Sequence, residues 1–162
     1  MDAGEAYRSL GPAVLGYLRG QGASDPEDLL SEVFLQVARS LPRFRGDDDA
    51  MRRWIFTIAR NRLIDESRRR RRRPSTRAGP VPDVPARSAE DSFDPALLRA
   101  LGQLTADQRE VVVLRFVADL SLDEVATITK RAPGAVKSMQ HRALAQLARI
   151  LERESDAVPG DG

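Results

Sequence analysis

Two groups of basic residues carry the chemistry of this sequence. The first is the stretch RRWIFTIARNRLIDESRRRRRR, from Arg52 to Arg73, which interleaves apolar side chains with arginine and ends in six arginines. Guanidinium groups neutralise phosphates, and aromatic rings stack on exposed bases. The second is the set Lys137, Ser138, His141 and Arg142 in PGAVKSMQHRAL, at steps of one, three and four. On a helix those steps put donors along one face, where Arg can fork onto guanine and Lys, Ser and His can bond base edges or phosphates. Read blandly, each group is a solvated helix face. His141 is the sole histidine and has no partner at metal-ligand or acid–base spacing.

Composition narrows the choices. The chain has 162 residues, 31% of them charged, a net charge of +2 and no cysteine. Disulfides and thiolate metal sites are therefore excluded. The small net charge says little, so the distribution of charge matters more. No apolar run approaches the roughly 18 residues a bilayer span needs, and MDAGEAYRSL lacks the regions of a signal peptide. The expectation is a soluble, intracellular chain without membrane insertion. No nucleophile–base pair, Gly-rich phosphate loop or metal cluster stands out, so neither an enzymatic activity nor a cofactor is expected.

The elements that must position these groups are all helical. The first half predicts a helix from about Ala3 to Leu18, with Tyr7, Leu10, Val14, Leu15 and Leu18 near one face. A second follows in DPEDLLSEVFLQVARSL, capped by Asp25 with Pro26 at its first position. There Leu29, Leu30, Val33, Phe34, Val37 and Leu41 recur at helical steps. The third is the arginine stretch itself, capped by an Asp of the run 47–49. Trp54, Ile55, Ile58 and Leu63 can face its core, and the helix is expected to fray within the terminal arginines.

PSTRAGPVPDVPARSAEDSF, with four prolines, reads as an extended linker over 74–93. Beyond it, Asp94–Pro95 opens another helix. Thr105 with Gln108 and Ser121 with Glu124 have capping-box spacing. A short capped helix, a tight turn and a longer basic helix make the order of a helix-turn-helix, which enters the major groove by its second helix. Val136, Ala143, Leu144 and Leu147 are expected to hold that helix to its domain.

EDLLSEVFLQVARSLPRFRGD, RRWIFTIARNRLIDESRRRRR and QREVVVLRFVADLSLDEVATI followed by GAVKSMQHRAL, in this order, resemble the sigma-70 family of bacterial RNA polymerase sigma factors. The compact extracytoplasmic-function (ECF) group is the best match, and the resemblance covers about Tyr7 to Leu151. It implies an all-α chain of two small helical domains. A region 2-like bundle would occupy 1–73 and a region 4-like helix-turn-helix domain 94–154, with a linker at 74–93 and a disordered tail at 155–162. It also implies a cytoplasmic transcription initiation factor that directs core polymerase to promoters.

By resemblance, Asp28, Leu29, Glu32 and Phe34 make or support the contact with the clamp helices of the polymerase's largest subunit, and the flap is a second contact. Phe44 and Asn61 hold a base flipped from the −10 element, Arg53 and Trp54 accompany them, and Arg60 and Arg62 lie near phosphates. Base flipping costs a few kcal/mol, and stacking on an aromatic side chain offsets about 1–3 kcal/mol of it. Lys137, Ser138, His141 and Arg142 face the −35 element. Factors of this kind are commonly held inactive by an anti-sigma protein.

The turn TKRAPGAV departs from the family pattern. Lys130 stands where Gly is usual, Arg131 where an apolar residue is, and Ala132 where a Ser or Thr cap is. Two rival readings need only parts of the chain. A polymerase-independent regulator would leave the first half without a role, and a Mg²⁺-dependent nuclease would rest on Asp47, Asp48 and Asp49, which more often cap a helix.

Overall fold

The computed structural model describes residues 1–72 and 94–157, and all the regular structure there is helical. The linker expected at 74–93 and the end of the tail, 158–162, lie outside the described residues. Three helices form the first half: α1 (Ala3–Gly20), α2 (Pro26–Ser40) and α3 (Asp48–Arg72). Four form the second: α4 (Pro95–Gly102), α5 (Ala106–Val112), α6 (Leu122–Thr129) and α7 (Pro133–Ala157).

Local chemistry sets the helix starts. The Asp25 carboxylate accepts from the Asp28 backbone N–H at 3.1 Å, and Asp47 accepts from the Ala50 N–H at 2.8 Å. Asp94 caps α4, with Pro95 at its first position. The Thr105/Gln108 and Ser121/Glu124 pairs each make both bonds of a capping box, so two orphan donors are satisfied at each helix start.

Four details differ from the sequence expectation. The third helix does not fray in the arginines but continues to Arg72, with Arg70 3.7 Å from Glu66 one turn earlier. QREVVVLRFVADL is not one continuous helix. After Val112 it widens into a π turn at 113–117, and the Arg115 guanidinium donates back to the Leu120 carbonyl at 2.9 Å. Leu144 is exposed, whereas Val136 and Ala143 are fully buried and Leu147 is partly so. Tyr7 is half exposed, edge-on to Phe34 at 5.1 Å.

One apolar cluster runs through both halves. It includes Val14, Tyr17, Val33, Ile55 and Phe56 from the first, and Leu101, Val111, Leu114, Ile128 and Val136 from the second. The halves meet where α1 packs on the π turn and α3 packs on α6. At Gly16 the approach is so close that a Cβ would stand 2.9 Å from a methyl carbon of Val117. No helix among the described residues is long and apolar enough to cross a membrane.

Candidate nucleic-acid and partner surfaces

The helix-turn-helix is built as its sequence order requires. The turn after α6 closes at Lys130 with φ 59° and ψ 43°, a left-handed conformation. This is the geometry that favours Gly, and Lys bears its steric cost here. The other departures are absorbed locally. Arg131 reaches Asp107 on α5 at 2.8 Å and donates to the Met139 sulfur at 3.1 Å. Pro133 begins α7, which has no cap from Ala132.

Lys137, Ser138, His141 and Arg142 are brought together. All four are exposed and line one shallow hollow on α7. A second hollow continues from His141 and Arg142 to Gln103, Thr105 and Gln108 at the α4–α5 corner. The result is an exposed row of donors of both base-reading and phosphate-holding types.

The six residues expected to engage the −10 element divide into three groups. Phe44 and Trp54 stack face to face, with ring centroids 4.8 Å apart and planes at 23°. Asn61 is exposed and lies two turns beyond Trp54, on nearly the same side of α3. Arg62 turns to α2, donating to the Gln36 amide oxygen at 2.8 Å and lying 3.9 Å from Glu32. Arg53 and Arg60 share a third side by the same seven-residue spacing. Arg60 is drawn into the second half, where its Nε lies 3.0 Å from Glu110 on α5.

Sequence reasoning missed the residue that sets Phe44. Gly46 has φ 153°, and a Cβ there would come within 2.9 Å of the Ala50 Cβ and 3.0 Å of the Phe44 ring. The available signal was the lone Gly in RFRGDDD, between a helix end and a cap. Two of the three acids considered for Mg²⁺ have other partners: Asp47 caps α3, and Asp49 lies 3.0 Å from Arg52.

On α2 the four residues expected to make or support the polymerase contact divide into buried and accessible ones. Leu29 and Phe34 are core residues, 2% and 8% exposed, so they support the surface from beneath. Asp28 and Glu32 remain accessible and line a hollow with Arg69 and Arg70. The outward apolar side chain is Leu35, 56% exposed, with Asp28, Ser31 and Arg39 also exposed on the helix. Periodicity places Phe34 in the apolar stripe and Leu35 outside it, but it did not mark Leu35 as a surface contact.

The seam between the halves holds a buried acid. Glu110 accepts from Arg60 and also from the Tyr17 hydroxyl at 3.4 Å. Burial above all, then the Glu110 charge, raises the Tyr17 hydroxyl far above the ordinary tyrosine range, although Arg60 opposes this. A second pair joins Arg52 Nε to Glu124 at 2.9 Å. Burial pushes the Glu124 carboxyl up, but the Ser121 backbone N–H and Arg52 outweigh it and leave it below the usual value.

Comparison with known proteins matches both halves. The family model for sigma-70 region 2 matches residues 6–73, and that for sigma-70 region 4 matches residues 95–147. The ECF RNA polymerase sigma factor BldN of Streptomyces coelicolor is 37% identical over 142 residues, spanning 83% of this chain and 54% of BldN. The chain thus covers about half the length of that relative. The ECF RNA polymerase sigma factor ShbA of Streptomyces griseus is 33% identical over 150 residues, 86% of this chain and 78% of ShbA. Among solved structures, the sigma factor RpoE of Bartonella quintana, in complex with the anti-sigma factor NepR, superposes with a TM-score of 0.76. It is 25% identical and covers 91% of this chain and 95% of that one.

Proposed function

The chain belongs to the sigma-70 family of RNA polymerase sigma factors, in the ECF group, and from that premise we propose that it is a bacterial transcription initiation factor. It binds core RNA polymerase, opens the −10 element with its first half and holds the −35 element with its second. One observation carries this reading: a single chain presents an exposed helix-turn-helix face and, where the loop before α3 meets that helix, an aromatic stack with an exposed asparagine two turns further along nearly the same side. The regulator reading uses only the first of these faces. The nuclease reading has two of its three acids, Asp47 and Asp49, engaged in a cap and an ion pair.

The division of labour follows from the chemistry. Lys137, Ser138, His141 and Arg142 read the −35 duplex. In the −10 element the Phe44–Trp54 stack and Asn61 take an unstacked base, and Arg53, Arg60 and Arg62 serve the backbone. Asp28, Glu32 and Leu35 on α2 form the polymerase-facing patch, with Leu29 and Phe34 as its underlying support. The domains are residues 1–73 and 94–154, with α7 continuing to Ala157. Joining two weak readers on one scaffold raises the effective concentration of each, so neither needs high affinity alone. The protein supplies binding and strand opening, and the polymerase supplies the chemistry. An anti-sigma protein is the expected regulator, and the cytoplasm the expected compartment.

Permanganate reactivity of promoter thymines tests this reading. With core polymerase and the chain together, thymines of the −10 element become reactive. With Asn61→Ala the duplex is bound but reactivity falls at least tenfold. Equal reactivity with polymerase alone would sink the proposal.

A further inference from the structure

The seam between the halves engages two arginines of the helix that carries the −10 residues. Arg60 is 19% exposed and Glu110 9%, with 3.0 Å between their charged atoms. Arg52 donates from Nη2 to Asp49 at 3.0 Å and from Nε to Glu124 at 2.9 Å. These are the contacts a guanidinium makes with phosphate oxygens, made here with carboxylates of the second half. Lys137, Ser138, His141 and Arg142 stay exposed in the same structure.

We infer that Glu110 and Glu124 act as internal phosphate mimics, holding the two halves closed by occupying Arg60 and Arg52, so that the closed chain offers its helix-turn-helix but withholds these arginines from single-stranded DNA. The inference deepens the promoter-binding reading and rests on it. It adds Arg52 as a phosphate-binding residue and assigns the two acids a regulatory role.

The energetics suit a switch. Removing both charges of a buried pair from water offsets much of their attraction. Opening rehydrates both, so the net hold is modest. A polyanion that offers phosphates to the same guanidiniums can then replace the acids, and counterion release adds to its advantage. The close contact of Gly16 with Val117 makes the seam tight without adding another charge.

The natural chain has no cysteine, which gives a direct test on the full-length protein. Gly16→Cys with Val117→Cys places two thiols across the seam, and dyes on Arg39→Cys and Arg149→Cys in a second variant report separation. The closed state predicts spontaneous disulfide formation in air. The oxidised protein should lose about tenfold affinity for a short random-sequence single-stranded DNA, equivalent to roughly 1.4 kcal/mol. It should keep its affinity for random duplex DNA, and reductant should restore single-strand binding.

Glu110→Gln with Glu124→Gln should do the opposite, widening the dye separation and raising single-strand affinity. Glu152→Gln, an exposed acid on α7, controls for net charge. Glutamine at 124 keeps the capping box. Failure of the disulfide to form, equal single-strand binding by oxidised and reduced protein, or a double variant no different from Glu152→Gln would each overturn the inference. If the reduced protein binds neither DNA, the promoter-binding reading fails instead. The dye separation still decides the latch: wider in the double variant supports closure by the acids, and unchanged refutes it.

Discussion

At the residue scale, two side chains bear costs that can be measured. Lys130 sits at φ 59° in the helix-turn-helix, where an L residue pays roughly 1–2 kcal/mol that glycine avoids. Glycine loses part of that gain to its larger unfolded-state entropy. Lys130→Gly should therefore raise stability by about 1 kcal/mol, read as a higher denaturant midpoint with an unchanged slope. Glu124 gives a pH signature. Its carboxyl is held below the ordinary 4.5 by Ser121 and Arg52 against the opposing effect of burial, and Asp49 shares Arg52 with it. A depressed folded value means that its stabilisation is complete above the unfolded value and lost as pH falls through the folded one. Thermal melts from pH 7 to pH 3 should show a loss below about pH 4.5 that Glu124→Gln reduces.

At the element scale, α2 is where sequence and structure part most usefully. Its helical period placed the apolar residues on one side, and Leu29, Leu30, Val33, Phe34 and Val37 are all buried. That period leaves Leu35 off the stripe, about 100° around the helix axis from Phe34 at 3.6 residues per turn, but it could not show that an outward leucine belongs to a surface patch. An exposed leucine amid acidic and polar neighbours is cheap to replace in a monomer and costly to replace in an interface. Leu35→Arg should leave the melting temperature within about 2 °C of the parent, since surface changes are usually within about 0.5 kcal/mol. It should weaken binding to core polymerase at least tenfold in a sedimentation assay. The helix starts were legible because caps are local: Asp25, Thr105 and Ser121 each bond a group within three residues. The π turn was not, since VVVLRFV has no breaker and its geometry answers to packing against α1.

At the scale of the whole molecule, the two halves and their order were readable from motifs, but their closure was not. Glu110 meets Tyr17 and Arg60, 93 and 50 positions away, and Arg52 meets Glu124 across 72. No local spacing encodes such pairs, so Glu110 read only as one charge in a capped helix. That Lys137, Ser138, His141 and Arg142 lie together was legible because they share one helix face. The residues expected at the −10 element were harder to place, because they combine a loop residue, Phe44, with side chains of α3 that point three ways. In the structure, one direction holds the Phe44–Trp54 stack and Asn61, one braces α2, and one reaches the second half.

The central claim is that one chain reads two promoter elements for core polymerase. The measurement that tests it most directly is in vitro transcription of bacterial genomic fragments with sigma-free core polymerase, with every 5′ end mapped. The account predicts discrete starts that share two spaced upstream motifs. Asn61→Ala should abolish starts while occupancy persists, and Arg142→Ala should selectively weaken promoters with the best upstream motif. Starts that are absent with a competent cognate core, or unchanged by both substitutions, would contradict it.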